Sequence, residues 1–229
     1  MQKNSAWGDF EDEYFLLYPS DIENYPLIYE DCHRVTCSRA NYKKCEDVSD
    51  CPAYYRKTEK IENPQPFILD FFTSLTKKKV IYADCYLALS ISRSSFVVSP
   101  KLYAILRDMD IYGIQFIPVT LLEDNIVKYT DFIYVHTYNF LPVLSLKDSR
   151  YQTYHGMVNR NNLLRIRFNN KKLGKTILGN RLIFRLPLER SYFIFHVSVV
   201  NKIMSASPIG FRFIKIRDID YPNTEKVFI

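Results

Sequence analysis

Two stretches of the chain share one pattern of apolar and polar positions. Residues 96–119 read FVVSPKLYAILRDMDIYGIQFIPV, and residues 193–216 read FIFHVSVVNKIMSASPIGFRFIKI. Laid together without a gap, Phe96 meets Phe193, Leu106 meets Ile203, Gly113 meets Gly210 and Phe116 meets Phe213. Each copy is an apolar β-prone run, then a helix-length segment, then a Gly that opens a second apolar run. The pattern predicts a strand–helix–strand unit used twice. In the first copy Ser99-Pro100 sets a cap residue before Pro at the first helical position. Leu102, Ile105, Leu106 and Met109 supply the apolar face of that helix. Gly113 ends it, and residues 114–122 form the return strand, interrupted by Pro118.

The rest of the chain is mostly β-prone. Residues 14–18 and 25–29 read as short strands split by a Pro-Ser-Asp turn. Residues 30–66 are polar and Cys-rich and end in an Asn-Pro-Gln-Pro breaker at 63–66. Residues 67–75 and 80–89 are apolar with ambiguous periods, and a helix is expected for at least one of them. Residues 129–138, YTDFIYVHTY, form a long strand that residues 140–146 continue. Residues 163–168, LLRIRF, alternate Leu164, Ile166 and Phe168 with Arg165 and Arg167, a strand with one basic face. Asn169-Asn170-Lys171-Lys172 reads as a turn after it, and residues 182–186 lead through Pro187 into the second copy. The expected fold class is α+β, with mixed sheet(s) and a duplicated strand–helix–strand unit. Residues 1–90 read as an acidic, Cys-containing N-terminal region and residues 91–229 as the duplicated core. If these are separate, the boundary lies near residues 90–95; otherwise they form one continuous domain.

Composition narrows the class. The chain has 229 residues and is 47% hydrophobic, enough for a substantial core. Only 6 Gly argue against a glycine-rich nucleotide cradle and against disorder. No apolar run approaches the roughly 20 residues that span a membrane, and the acidic N-terminus lacks the apolar core of a signal peptide. A soluble, cytoplasmic protein is expected. The net charge of +6 is unevenly spread. Residues 1–31 hold eight acids (Asp9, Glu11, Asp12, Glu13, Asp21, Glu23, Glu30, Asp31) against Lys3 alone. Residues 147–190 hold eleven bases against Asp148 and Glu189. Such a stretch attracts anionic surfaces, whether nucleic acid, acidic protein or phosphate.

Candidate chemistry is sparse. Cys32, Cys37, Cys45 and Cys51 fall close together beside His33. In a cytosolic chain they read as thiols or metal ligands rather than disulfides. Their spacings are looser than the Cys-x-x-Cys knuckles of structural zinc, so reduced thiols are the expectation and zinc the weaker candidate. Cys85 reads as core. Residues 169–176, NNKKLGKT, imitate a phosphate-binding loop but lack its first Gly. His136 and His196 lie in apolar strands and His155 in a Tyr-rich loop. No nucleophile elbow or His-Glu-x-x-His helix appears, and no set of acids converges for general acid/base work. The sequence therefore predicts a binding protein rather than an enzyme, and no cofactor.

The segments around the two copies resemble immunity proteins of bacterial polymorphic toxin systems, in the groups numbered eleven and forty-three. The resemblance rests on Val98-Ser99, Gly113-Ile114-Gln115-Phe116-Ile117-Pro118-Val119, Lys147-Asp148-Ser149 and Ile209-Gly210-Phe211-Arg212-Phe213. It covers roughly residues 90–220. The second copy departs from the usual pattern in having Ile209 where Thr precedes the Gly. The resemblance implies a cytosolic protein that binds a cognate toxin, occludes its active site and performs no catalysis. Arg160, Arg165, Arg167, Lys171, Lys172 and Arg181 are the expected partner-binding residues, facing an acidic patch. A nucleic-acid-binding module using residues 160–185 is the alternative, with charge for affinity and Tyr151 or Tyr154 for stacking.

Overall fold

Strands from distant parts of the sequence lie side by side, so the core is built from pairings that local propensity does not reveal. In the computed structural model, residues 9–19, 27–29, 58–72, 83–87, 95–123, 126–153, 161–190 and 192–219 are described. Strands β1 (Tyr14–Pro19), β2 (Leu27–Tyr29), β3 (Phe67–Phe72), β4 (Cys85–Leu87) and β5 (Ser95–Val98) precede helix α1 (Pro100–Arg107). Next come β6 (Ile114–Glu123), β7 (Ile126–Thr137), β8 (Arg150–Thr153) and β9 (Asn161–Arg165), then helix α2 (Asn170–Lys175). Strands β10 (Ile183–Arg185) and β11 (Phe193–His196), helix α3 (Val197–Ser205) and β12 (Phe211–Lys215) complete the order.

The expected α+β class is what the chain adopts. One sheet runs β10-β11-β1-β12, a second runs β2-β3-β6-β7-β5-β4, and β8 with β9 makes a separate hairpin. The six-stranded sheet is mixed, because β3 pairs parallel to β6 while its other pairings are antiparallel. In both sheets a helix links two strands that flank a common antiparallel neighbour. Helix α1 links β5 and β6 on either side of β7, and α3 links β11 and β12 on either side of β1. Strand β1 and strand β3 come from before residues 90–95, yet each is paired inside a sheet with strands from after them.

Side-chain alternation splits the interior into layers. Val98 and Val135 from the large sheet meet Leu17, Phe193 and Phe195 from the small one, with Leu102, Leu106, Val199 and Ile203 of the helices. Val97, Ile117, Val119 and Tyr134 point the other way, onto Ile61 and Tyr86. Tyr14, Leu16, Phe184 and Ile194 leave the far face of the small sheet for Val143, Leu163, Ile166, Phe168 and Leu173. Phe96 and Phe193, matched in the sequence, meet edge to face with centroids 5.2 Å apart.

Several local expectations need correction. The described parts of 67–75 and 80–89 are strands β3 and β4, not helices. Both join the large sheet; in β4 Cys85 and Tyr86 are buried on opposite faces, which removes the alternation that would have marked it. The long strand ends at Thr137; residues 140–146 form no strand, and their ladder pairing is limited to isolated bridges at Phe140 and Leu144. The strand over 163–168 starts earlier, at Asn161, and stops at Arg165, with a register shift between Leu163 and Arg165 opposite Tyr151 and Arg150. The turn expected at 169–172 is instead the start of α2, capped by Asn169, whose side chain accepts from the Lys172 amide at 3.1 Å. Among the described residues no helix is long and apolar enough to cross a membrane.

Candidate functional site

The acidic head folds onto the basic stretch. Residues 9–13 form a 3-10 turn that leads into β1, and Asp9 caps it by accepting from the Glu11 amide. Glu11 lies 3.4 Å from Arg167, with side chains only 12% and 16% exposed, and also accepts from the Phe168 amide at 3.2 Å. Burial raises the Glu11 pKa, with Arg167 acting against it. Arg217 binds Asp9 and, at 2.6 Å, Asp12. Arg181 donates to the Tyr14 hydroxyl at 3.0 Å and lies 4.9 Å from the Phe10 ring centroid. Burial pushes the Tyr14 phenol up to about 12, Arg181 acting against it. The Glu11–Arg167 ion pair thus ties the acidic head to the basic stretch.

The segments that carry the resemblance are structural. Gly113 has φ +78°, and a Cβ there would lie 2.3 Å from the Asn139 Cβ. The Gln115 amide accepts from the Ile61 backbone N–H at 2.6 Å and donates to its carbonyl at 2.8 Å. Ser99 stands at the α1 cap, but its hydroxyl donates to Asp84 at 2.8 Å instead of capping the helix. Asp84 also accepts from the Ile209 amide at 2.9 Å, so it ties the start of α1 to the turn before β12. In Lys147-Asp148-Ser149, Asp148 accepts from Ser145 and the Ser149 hydroxyl accepts from the Arg167 amide.

The expected partner-binding residues divide accordingly. Arg167 and Arg181 are held as above. Arg165 ends β9, half-buried and opposite Arg150. Lys171 and Lys172 are exposed on α2, with Lys175 one turn on, and Leu173 anchors this helix in the core. Arg160, Tyr154, His155 and the cluster Cys32, Cys37, Cys45 and Cys51 lie outside the described residues. Arg185, counted with the basic stretch, is 1% exposed. It donates to the carbonyls of Arg190 and Thr137 and lies against the rings of Phe140 and Phe193; burial lowers its pKa to about 10. The basic pattern alone could not separate these roles, since buried arginine and exposed lysine count alike in a charge tally.

Beyond the lysines, the sequence reading missed an exposed apolar group. Ile177 is 70% exposed, Tyr112 54% and Leu178 47%. The Tyr112 amide donates to the Gly179 carbonyl at 3.2 Å, which holds these residues in one neighbourhood. Two apolar residues directly after a lysine helix were the available signal.

Of the two histidines from the apolar strands, His136 is buried and His196 is partly buried, with its Nδ1 2.8 Å from the Ser198 hydroxyl. His196 caps α3, its Nδ1 accepting from the Ser198 amide at 3.2 Å, and its Nε2 lies 3.6 Å from Glu13. His136 bonds the Glu59 carbonyl through Nε2 at 2.9 Å. Burial lowers both pKa values. Cys85 is buried, and its thiol pKa is raised by that burial. Among the described residues no group of three or more His, Cys, Asp or Glu side chains is placed to hold a metal ion.

No curated protein matches the chain. A family-level comparison does match, over residues 38–218, which includes both strand–helix–strand successions and every resemblance-bearing segment named above. With most of its length matched, the chain belongs to the immunity protein family Imm11.

Proposed function

We propose that this chain protects a bacterial cell by binding a cognate protein toxin and covering its active cleft. The observation that carries the reading is membership of an immunity protein family over residues 38–218, which suggests toxin immunity. The geometry is compatible with a binding role. His136, Cys85 and Arg185 are buried in packing and backbone hydrogen bonds, and the lysines of α2 face outward. The contact uses the basic side of the chain, Lys171 and Lys172 with Arg165 and Arg160 near them in sequence, against an acidic patch on the toxin. Such a complex buries roughly 1,200–2,000 Å² and is steered by charge. It requires no cofactor and no catalysis by this chain.

The test is co-expression with the toxin domain encoded beside this chain. Restored growth and co-purification of the two proteins at equal stoichiometry is the expected result. Persistent growth arrest, with no complex recovered, overturns the reading.

A further inference from the structure

Three facts about the segment after α2 belong together. Lys171, Lys172 and Lys175 are exposed, and among the described residues none of them is in an ion pair. Arg167, Arg181 and Arg185, from the same basic stretch, are each held by an internal contact, to Glu11, the Tyr14 hydroxyl and the Arg190 carbonyl. Ile177 and Leu178 then present apolar side chains to water at the point where the helix ends, although Leu173 one turn earlier is fully buried.

The backbone under these side chains is fixed. The Thr176 amide donates to Leu173 at 3.0 Å, the Asn180 amide to Ile177 at 3.1 Å and the Tyr112 amide to Gly179 at 3.2 Å. The buried Asn139 side chain donates to the Asn180 carbonyl at 2.7 Å. An exposed apolar pair on a braced turn loses little freedom on binding, which is the property of an interface anchor. A lysine rim around such an anchor raises the rate of encounter with an acidic surface.

We infer that Ile177 and Leu178, with Tyr112 beside them and Lys171, Lys172 and Lys175 as the rim, form the anchor for a protein partner that offers an apolar recess bordered by Asp and Glu. The inference rests on the toxin-binding reading and gives that contact its centre. Aliphatic side chains favour protein over nucleic acid, because Ile and Leu offer phosphates nothing and stack poorly on bases. Asp110, exposed two residues before Tyr112, carries the same sign as that acidic border and opposes its approach.

The experiment measures affinity of the full chain for the purified, catalytically inactivated toxin domain encoded beside it. The variants are Ile177→Asp with Leu178→Asp, then Lys171→Glu with Lys172→Glu and Lys175→Glu. The control is Met204→Ala with Ile209→Ala, an exposed apolar pair elsewhere. The first variant is expected to lose about 30-fold or more in affinity, as anchor residues do. The lysine variant is expected to lose about 10-fold at low salt and progressively less as salt rises. The control stays within about twofold, since exposed contacts away from an interface contribute little. Unfolding curves like the wild type confirm that the folded state is intact. If the wild type binds and the Ile177/Leu178 variant binds equally well, the inference fails while the toxin-binding reading stands. If the wild type does not bind, both fail. If single-stranded RNA binds instead, and the same variants abolish that, a protein partner is excluded at this surface.

Discussion

Gly113 shows how a single position can be structural beyond doubt on two separate grounds. Its φ of +78° penalises any L side chain, and the Asn139 Cβ occupies the space a Cβ would need. Gly113→Ala should cost at least about 2 kcal/mol, read as a shift in the urea midpoint. Arg167 belongs to the same class. It was expected at the partner interface, but it pairs with Glu11 in a largely buried site. Arg167→Ala should therefore lower stability by about 3–5 kcal/mol, with Glu11→Leu added to it recovering part of the loss. A loss of binding in an Arg167 variant thus needs a stability measurement beside it. His136 and His196 set a pH dependence. Both have folded pKa values below the ordinary 6.5, chiefly through burial. The unfolded chain then binds more protons than the folded one, so their contribution is present above 6.5 and lost as the pH falls below it. Unfolding free energy should drop between about pH 7.5 and 5.5, and His136→Asn should flatten the slope. Glu11, with its pKa raised by burial, acts the opposite way, its contribution falling as the pH rises above its ordinary 4.5.

At the scale of elements, one carboxylate ties helix α1 to the turn before β12. Asp84 accepts from Ser99 and Ile209 and lies 3.9 Å from the Lys101 ammonium. Asp84→Ala should cost about 2–3 kcal/mol, read by chemical denaturation, because hydrogen bonds to a charged acceptor are lost at both the helix start and the turn. How much of this was legible depended on how local each element is. The successions through α1 and α3 were readable because apolar spacing, Pro100 and the positive-φ glycines all lie within one stretch. Strand β4 was misjudged because burial on both faces hides the two-residue period. Helix α2 was missed because its one buried residue, Leu173, leaves no periodicity over six positions. The cap at Asn169 was its available mark, and Asn also favours turns. The site was less legible than the fold. Charge density flagged residues 160–185, but only three-dimensional pairing separated Arg167 and Arg181, turned inward onto residues 9–14, from the lysines that face water.

For the whole molecule, the Glu11–Arg167 pair ties the acidic head to the basic stretch, while Lys171, Lys172 and Lys175 stay exposed. Two sheets, each with a helix linking strands that flank a shared neighbour, make a rigid frame from strands spread across the sequence. Binding a toxin by such a frame calls for little rearrangement. The account turns on whether this chain silences a toxin by covering it. The most direct measurement titrates the full chain into the active toxin domain encoded beside it and follows the toxin's own catalytic activity. The account predicts a linear fall to background that ends at one chain per toxin. Activity unchanged by an excess of the chain would contradict it.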